Sequence, residues 1–188
     1  ILEEEGIKEA QQNSIMQFLD KKQWDDALNL VKKIGGSNKC QETLMKLFEA
    51  SGSDPVQIVK DIQSIVKEYK SAYEAAENLR DTLNLVSESG MDLNLLIEAR
   101  FARGLEYYTG IIFEVYAPDA DIALGGGGRY DGLIELFGGE HTPAVGVALG
   151  LDRIVLVVTK QKSLGKSLAK RRVLVVSVTD ELRGKAFE

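Results

Sequence analysis

An apolar stripe with steps of three and four residues constrains the first half of the chain more than any other feature. Asp54 is suited to cap a helix there, Pro55 to occupy its first position and Gly90 to end it. The pattern predicts one amphipathic helix of about eight turns that packs on neighbouring helices. The stripe comprises Ile58, Ile62, Ile65, Tyr69, Ala72, Ala76, Leu79 and Leu83.

A second helix is predicted upstream, in the stretch "NKCQETLMKLFEASG". Asn38 is a candidate N-cap, Gln41 follows it by three residues, and Gly52 is a candidate stop. Residues 1–90 as a whole are predicted to be helical, and nothing in them is typical of a catalytic site.

The pattern changes after Gly90, where short apolar runs alternate with glycine-rich corners. We expect strands in the stretches "MDLNLLIEARFA" and "GIIFEVYA", a short helix in "YDGLIELFG", another buried strand in "TPAVGVALG" and a helix in "LDRIVLVV". The predicted fold class is therefore α+β, with an antiparallel sheet and flanking helices preceded by an all-helical region.

Composition excludes several classes of protein. A net charge of −6 disfavours a free-standing nucleic-acid binder. The single cysteine, Cys40, excludes an internal disulfide framework, and the single histidine, His141, removes the usual zinc ligand sets. With no apolar run near the ~20 residues of a membrane span, we expect no membrane association and a cytoplasmic location. We also expect the chain to be part of a longer protein, because it starts at Ile1 without a methionine and a strand-like run lies near its end.

Three segments carry residues that a packed core does not need. "RGLEYYTG" places the permanent cation Arg103 and the rings of Tyr107 and Tyr108 at the start of a strand, which suits an anion and a small polar ligand. "LGGGGRYDGL" is either a turn or a place where a ligand approaches the backbone, and it lacks the spacing of a P-loop or a dinucleotide site. "GVALGLDRI" places Arg153 in the first turn of a helix, as a surface ion pair or a phosphate clamp.

Taken together and in this order, the three segments resemble the histidyl-tRNA synthetase family of class II aminoacyl-tRNA synthetases. The first two are similar to its histidine-site motifs, and the third is similar to class II motif 3. The resemblance is sharp over about 91–158 and general over 1–90, which is similar to the helical insertion of that family. Glu106 stands where the family usually has Asp.

The resemblance implies a role for each matching residue. Arg103 would lie against the histidine carboxylate and the ATP α-phosphate and act catalytically, and Arg153 would hold the γ-phosphate of ATP. Mg²⁺ would bridge the phosphates without a protein metal site. The residues implied to bind histidine are Tyr107, Tyr108, Tyr130, Gly126, Gly127 and Gly128.

The resemblance also implies the organisation and partners of the parent protein. We expect a helical insertion over 1–90, half of a catalytic core over 91–160, and a linker with the first strand of an anticodon-binding domain over 161–188. Implied partners are histidine, ATP, tRNA(His) and a second copy in a homodimer. Class II motifs 1 and 2 are not in these residues, so we expect the chain alone to be inactive. The alternative is a non-catalytic relative: the regulatory subunit of ATP phosphoribosyltransferase, or the tRNA-sensing domain of a stress kinase.

Overall fold

The computed structural model describes residues 1–104, 107–118 and 122–160. Glu106 and the predicted linker and strand at 161–188 lie outside the described residues. The helices are α1 (Glu9–Asp20), α2 (Trp24–Lys33), α3 (Asn38–Glu49), α4 (Pro55–Val66), α5 (Lys70–Glu88), α6 (Leu133–Leu136) and α7 (Leu151–Lys160). The strands are β1 (Ser51–Gly52), β2 (Ile97–Glu98), β3 (Ile112–Val115), β4 (Gly125–Arg129) and β5 (Val145–Leu149).

These elements belong to two compact units. The first comprises residues 1–113 and 126–147, and the described part of the second comprises 114–118, 122–125 and 148–160. The predicted three-part division of the chain remains a prediction. The predicted α+β class is confirmed, because five helices precede an antiparallel sheet that two further helices accompany.

Two apolar clusters hold the helices of the first unit together. The first cluster joins α1, α2 and α3 through Ile7, Ile15, Ala27, Val31, Cys40, Leu44 and Phe48. The second lies mainly between α4 and α5 and contains Ala50, Ile58, Ile62, Val66 and Ala76. Most of the predicted apolar stripe is therefore part of the core, as its spacing indicated.

Cys40 is fully buried, and burial raises the pKa of its thiol to about 11.

The predicted eight-turn helix is wrong in one respect, because it is two helices that break at Lys67–Tyr69. Tyr69 has an extended backbone, and the N-terminus of α5 receives its cap from far along the chain. The two carboxylate oxygens of Glu4 accept from the backbone N–H groups of Lys70 and Ser71, each at 3.0 Å. A side chain more than sixty residues away thus satisfies the amides that the break exposes.

Glu5 extends the same attachment to α3, and we call residues Glu4 and Glu5 the N-terminal staple. One Glu5 carboxylate oxygen accepts from the backbone N–H of Ser37 at 3.1 Å, and the other accepts from the hydroxyl of Tyr69 at 2.8 Å. Tyr69 is buried, so this hydroxyl has little access to water. The staple therefore fixes the first residues of the chain to the N-termini of two helices.

The helix caps agree with the sequence at one site and differ at another. Asp54 caps α4 as predicted, accepting from the N–H groups of Val56 and Gln57, with Pro55 at the first position. For α3 the predicted cap Asn38 is wrong by one residue, because Ser37 accepts from the N–H of Cys40 at 3.0 Å. A serine oxygen caps as well as an asparagine oxygen, and the sequence offers both in succession.

A three-stranded sheet in the order β3-β4-β5 follows the helices. In the first unit, Arg129 N–H donates to Ile111 C=O and Tyr130 N–H to Ala144 C=O; in the second, Leu124 N–H donates to Val115 C=O. These bonds pair the strands antiparallel.

The buried strand predicted in "TPAVGVALG" forms as β5, but its side chains are mostly exposed. As an edge strand, β5 has no covering layer among the described residues.

The segment "MDLNLLIEARFA" forms much less strand than its alternation predicted. Only Ile97–Glu98 pairs, antiparallel to β1, with Ser51 opposite Glu98 and Gly52 opposite Ile97. Residues 91–96 have no regular structure, and Met91, Leu93 and Leu96 are exposed. The alternation is a poor guide here because β1 offers only two residues for pairing.

Candidate active site

The glycines of β4 lie where neighbouring backbone and side chains approach closely. A Cβ on Gly127 would collide with the carbonyl oxygen of Gly146 in β5. A Cβ on Gly128 would lie 2.6 Å from the carbonyl oxygen of Ile111 and 2.9 Å from the ring of Tyr108. Close strand packing thus requires at least two of the four glycines. Approach of a ligand to Gly126, Gly127 and Gly128 remains a prediction.

Three tyrosines form one aromatic cluster beside this strand. The ring centroids of Tyr107 and Tyr108 are 4.7 Å apart, and those of Tyr107 and Tyr130 are 5.9 Å apart in an edge-to-face arrangement. Tyr108 and Tyr130 are 6.4 Å apart. All three residues are half-buried, so none of the rings is fully enclosed by the protein. The structure therefore brings together the three tyrosines that the sequence singled out.

Gly146 makes room for the hydroxyl of Tyr130. A Cβ at position 146 would collide with that oxygen and lie 3.1 Å from the ring carbon that bears it. The backbone of Tyr130 is held at the same place, since its N–H donates to Ala144 C=O at 2.9 Å. Ala144, which directly precedes β5, therefore holds the backbone of Tyr130, and Gly146 of β5 leaves room for its hydroxyl.

Arg129 and Asp131 hold the corner that follows the glycines. Arg129 Nε donates to both carboxylate oxygens of Asp131, at 2.8 and 3.0 Å. One of these oxygens also accepts from the N–H of Ala144 at 3.1 Å, and the hydroxyl of Thr109 accepts from the N–H of Asp131 at 3.0 Å. The hydrogen bonds from Arg129 hold the pKa of Asp131 below its usual range. These contacts fix Tyr130 between two restrained neighbours.

Arg103 and Gly104 are exposed and precede the tyrosines in the sequence. The pKa of Tyr108 is raised, first by its hydrogen bond with Tyr107 and then by burial, while the charge of Arg103 opposes the rise. The guanidinium of Arg103 therefore acts electrostatically on Tyr108. A permanent cation beside three phenol groups is suited to an anionic ligand with a polar ring.

Arg153 belongs to the second unit, whereas the tyrosines belong to the first. It lies in the first turn of α7, as predicted, and its Nη1 donates to the carbonyl oxygen of Ala123 at 2.8 Å. A Cβ on Gly150 would lie 3.2 Å from Arg153 Cδ, so Gly150 leaves space for the arginine stem. The guanidinium is exposed and has further donors for a phosphate.

A recess adjoins the aromatic cluster in the first unit. It has a volume of about 390 Å³ and is lined by Tyr107, Thr109, Gly132, Glu135 and Leu136. This volume suits a small ligand.

Among the residues that the structure describes, no group of three or more His, Cys, Asp or Glu side chains could hold a metal ion. In the same part of the chain, no helix is long and apolar enough to cross a membrane.

A profile of the family described as histidyl-tRNA synthetase matches residues 1–154. The histidine–tRNA ligase of Methanocaldococcus jannaschii is 37% identical over 156 residues, which are 83% of this chain and 36% of that protein. The histidine–tRNA ligase of Sulfolobus acidocaldarius is 35% identical over 178 residues, which are 94% of this chain and 40% of that protein.

The chain belongs to the histidyl-tRNA synthetase family. The resemblance of its three motifs to that family is thereby confirmed. The chain spans well under half the length of the two curated relatives named above. Because these relatives are named as ligases, the alternative of an ATP phosphoribosyltransferase regulatory subunit is not favoured.

Solved structures agree on the fold. Histidyl-tRNA synthetase from Nostoc sp. is 23% identical with a TM-score of 0.66, and the alignment covers 95% of this chain and 44% of that one. A Bacillus halodurans protein described as an ATP phosphoribosyltransferase regulatory subunit/histidyl-tRNA synthetase is 22% identical with a TM-score of 0.68, covering 79% of this chain and 38% of that one. At these identities the likeness concerns the fold alone.

Sequence reasoning missed the residues that support the tyrosines. Thr109 and Ala144 bond to Asp131, and Gly146 admits the Tyr130 hydroxyl. The threonine stands inside "RGLEYYTG", so its position could have suggested a role. Ala144 donates through its backbone N–H, a group that every residue except proline carries, so its residue type gives no sign of this contact.

Proposed function

We propose that this chain is part of a histidine–tRNA ligase, which activates histidine with ATP and transfers it to tRNA(His). Membership of the family over residues 1–154, together with the clustering of the three tyrosines, supports this proposal most directly. The parent protein is proposed to be a cytoplasmic homodimer, features implied by the family resemblance.

In the proposed first step, a carboxylate oxygen of histidine attacks the α-phosphorus of ATP. The new P–O bond forms as the bond to the β-phosphate bridge breaks, and pyrophosphate leaves. Negative charge on the α-phosphoryl oxygens grows during this step. Arg103 stabilises that charge through its guanidinium.

The tyrosines are proposed to select the imidazole side chain of the substrate. Tyr108 and Tyr130 offer hydroxyl groups that can donate to, or accept from, the two ring nitrogens. A substrate without such nitrogens leaves the hydroxyls unpaired, which penalises the wrong amino acid. Tyr107 packs edge-to-face on Tyr130 and limits the movement of that ring.

Arg153 is proposed to bind the γ-phosphate of ATP, because an arginine at the start of a helix combines a fixed cation with donors that fit phosphate oxygens. Mg²⁺ would supply positive charge at the phosphates of ATP, whose oxygens are the hard ligands it prefers. In the second step, a ribose hydroxyl at the 3′ end of tRNA(His) attacks the carbonyl carbon of the adenylate, and AMP leaves.

The test is histidine-dependent exchange of pyrophosphate into ATP by the full-length protein, followed by aminoacylation of tRNA(His). We expect exchange with histidine and none with phenylalanine, which has a similar shape but no ring nitrogen. Exchange that requires a different amino acid, or no exchange with any, contradicts the proposal.

A further inference from the structure

The segment that carries Arg103 is attached to the helical part of the first unit. Residues Ile97–Glu98 pair with β1, which directly follows α3. The N–H of Ala99 then donates to the carbonyl oxygen of Ala50 at 3.0 Å, and the N–H of Phe101 donates to Glu98 C=O at 3.0 Å. The backbone is thus held by hydrogen bonds up to two residues before Arg103.

Arg100 adds a side-chain attachment to the first residue of α2. Its guanidinium carbon lies 4.0 Å from the centroid of the Trp24 ring, over the face of the indole. Its Nη2 lies 3.6 Å from Glu98 Oε1, so the carboxylate helps to orient the guanidinium on that face. Trp24 itself packs against the buried cluster of α1, α2 and α3. Arg100 is therefore stacked on a ring that the helical core supports.

The last residue of α1 touches the same segment one residue after Arg103. A Cβ on Gly104 would lie 2.8 Å from Asp20 Oδ2 and 3.2 Å from Asp20 Cγ. The side chain of Asp20 therefore lies directly against the backbone of Gly104. Asp20 and Trp24 are the ends of α1 and α2 that face each other across one turn, and we call this turn with its two flanking residues the α1–α2 corner.

Arg103 is consequently held between two supports. The α1–α2 corner contacts Arg100 and Gly104 on either side of it. The glycine strand holds the chain again at Thr109, whose N–H donates to Arg129 C=O at 2.9 Å. A displacement of about 1 Å in a reacting group can lower a rate by about 100-fold, so the position of these supports bears on chemistry.

We infer that the α1–α2 corner positions Arg103 for histidine activation, with Trp24 and Arg100 as positioning residues; the inference rests on the proposed function. The helical region then acts on the reaction through the backbone of Arg103. It sets the backbone from which the catalytic guanidinium extends, and it does so without contacting the substrate.

The test compares two cation–π pairs, Arg100 with Trp24 and Lys39 with Tyr69, in the full-length protein. Arg100→Met removes the cation over Trp24 and keeps an apolar stem, and Trp24→Leu removes the ring. The matched control is Lys39→Met, because Lys39 Nζ lies 4.8 Å from the centroid of the Tyr69 ring and pairs with Glu68, away from the segment that carries Arg103. Trp24→Phe retains an aromatic face and serves as the conservative variant.

We expect Arg100→Met and Trp24→Leu to lower kcat of the pyrophosphate exchange about 10- to 100-fold, with the KM for histidine within about twofold. Trp24→Phe should recover most of the rate, and Lys39→Met should leave it unchanged. If Arg100→Met lowers kcat no more than Lys39→Met does, the corner has no positioning role.

A second measurement separates this inference from the proposed function. Hydrogen exchange of the amides at 101–104 should accelerate in Trp24→Leu and Arg100→Met but not in Lys39→Met, whether or not the protein activates histidine. Unchanged exchange at 101–104 overturns the inference even in an active enzyme. Accelerated exchange in a protein that activates no amino acid overturns the proposed function and leaves the attachment established.

Discussion

Replacing Glu5 with alanine should destabilise the helical region through the hydroxyl of Tyr69. That hydroxyl donates to Glu5 at 2.8 Å, and Tyr69 is only 3% exposed. Burial, together with the nearby Glu5 carboxylate, raises the pKa of Tyr69, so the hydroxyl stays protonated and needs an acceptor. A buried polar group that loses its partner costs about 1–3 kcal/mol.

The second partner of Glu5 adds little to this cost. The N–H of Ser37 is at an exposed position and can bond to water when the carboxylate is removed. We therefore expect Glu5→Ala to lower the free energy of unfolding by about 1–3 kcal/mol, or the melting temperature by about 2–12 °C for a chain of this size.

The assay is urea denaturation followed by circular dichroism at 222 nm. Glu3→Ala is the matched control, because Glu3 lies in the same segment with an exposed side chain, and we expect it to change stability by less than about 0.5 kcal/mol. In the double variant Glu5→Ala/Tyr69→Phe, the stranded hydroxyl is gone, so it should be at least as stable as Glu5→Ala alone. Equal losses for Glu5→Ala and Glu3→Ala, or additive losses in the double variant, would refute the reasoning.

Four further outcomes are expected. Arg103→Ala in the full-length protein should lower kcat for adenylate formation about 10²–10³-fold, with little change in the KM for histidine. Arg103→Lys should restore kcat only in part. A change in KM alone would mean that Arg103 binds the ground state of the substrate and does not stabilise the transition state. Tyr130→Phe should chiefly raise the KM for histidine in the same exchange assay, and an unaltered KM would argue against a pocket role. The 188-residue chain alone should show no histidine-dependent exchange, and measurable exchange would disprove this. Hydrogen bonds from Ser37, then from Tyr69, lower the pKa of Glu5 from its ordinary 4.5. The stability that the Glu5 carboxylate adds is therefore complete above pH 4.5 and is lost as the pH falls through the lowered pKa. The urea midpoint should fall less steeply in acid for Glu5→Gln than for the unaltered chain.

Local signals in the sequence predicted the starts of α4 and α7, and missed the start of α3 by one residue. Asp54 and Pro55 start α4 as their chemistry indicates, and Arg153 stands in the first turn of α7. The break before α5 was missed, because a continuous apolar stripe gives no sign of it. Glu4 and Glu5 contact the break from more than sixty residues away in the sequence, so no local pattern indicates it.

Part of the candidate site could likewise be predicted from the sequence, and part could not. The clustering of Tyr107, Tyr108 and Tyr130 followed from motifs that resemble one family. The attachment of Arg100 to Trp24 could not be predicted, since it joins a helix end to a segment 76 positions later through tertiary packing. The exposure of β5 was missed because its apolar residues match the pattern of a covered strand, and cover is a property of the surrounding layers.

The burial of Cys40 gives the protein an internal reporter of its own opening. The chain has one cysteine, which is fully buried in the cluster of α1, α2 and α3, and its raised pKa leaves almost no thiolate at neutral pH. A thiol reagent can react only after the cluster has opened. At low reagent concentration the labelling rate therefore reports the equilibrium population of the open form. At high reagent concentration it reports the rate at which the cluster opens. Changes at the N-terminal staple can be timed in this way without introducing any probe.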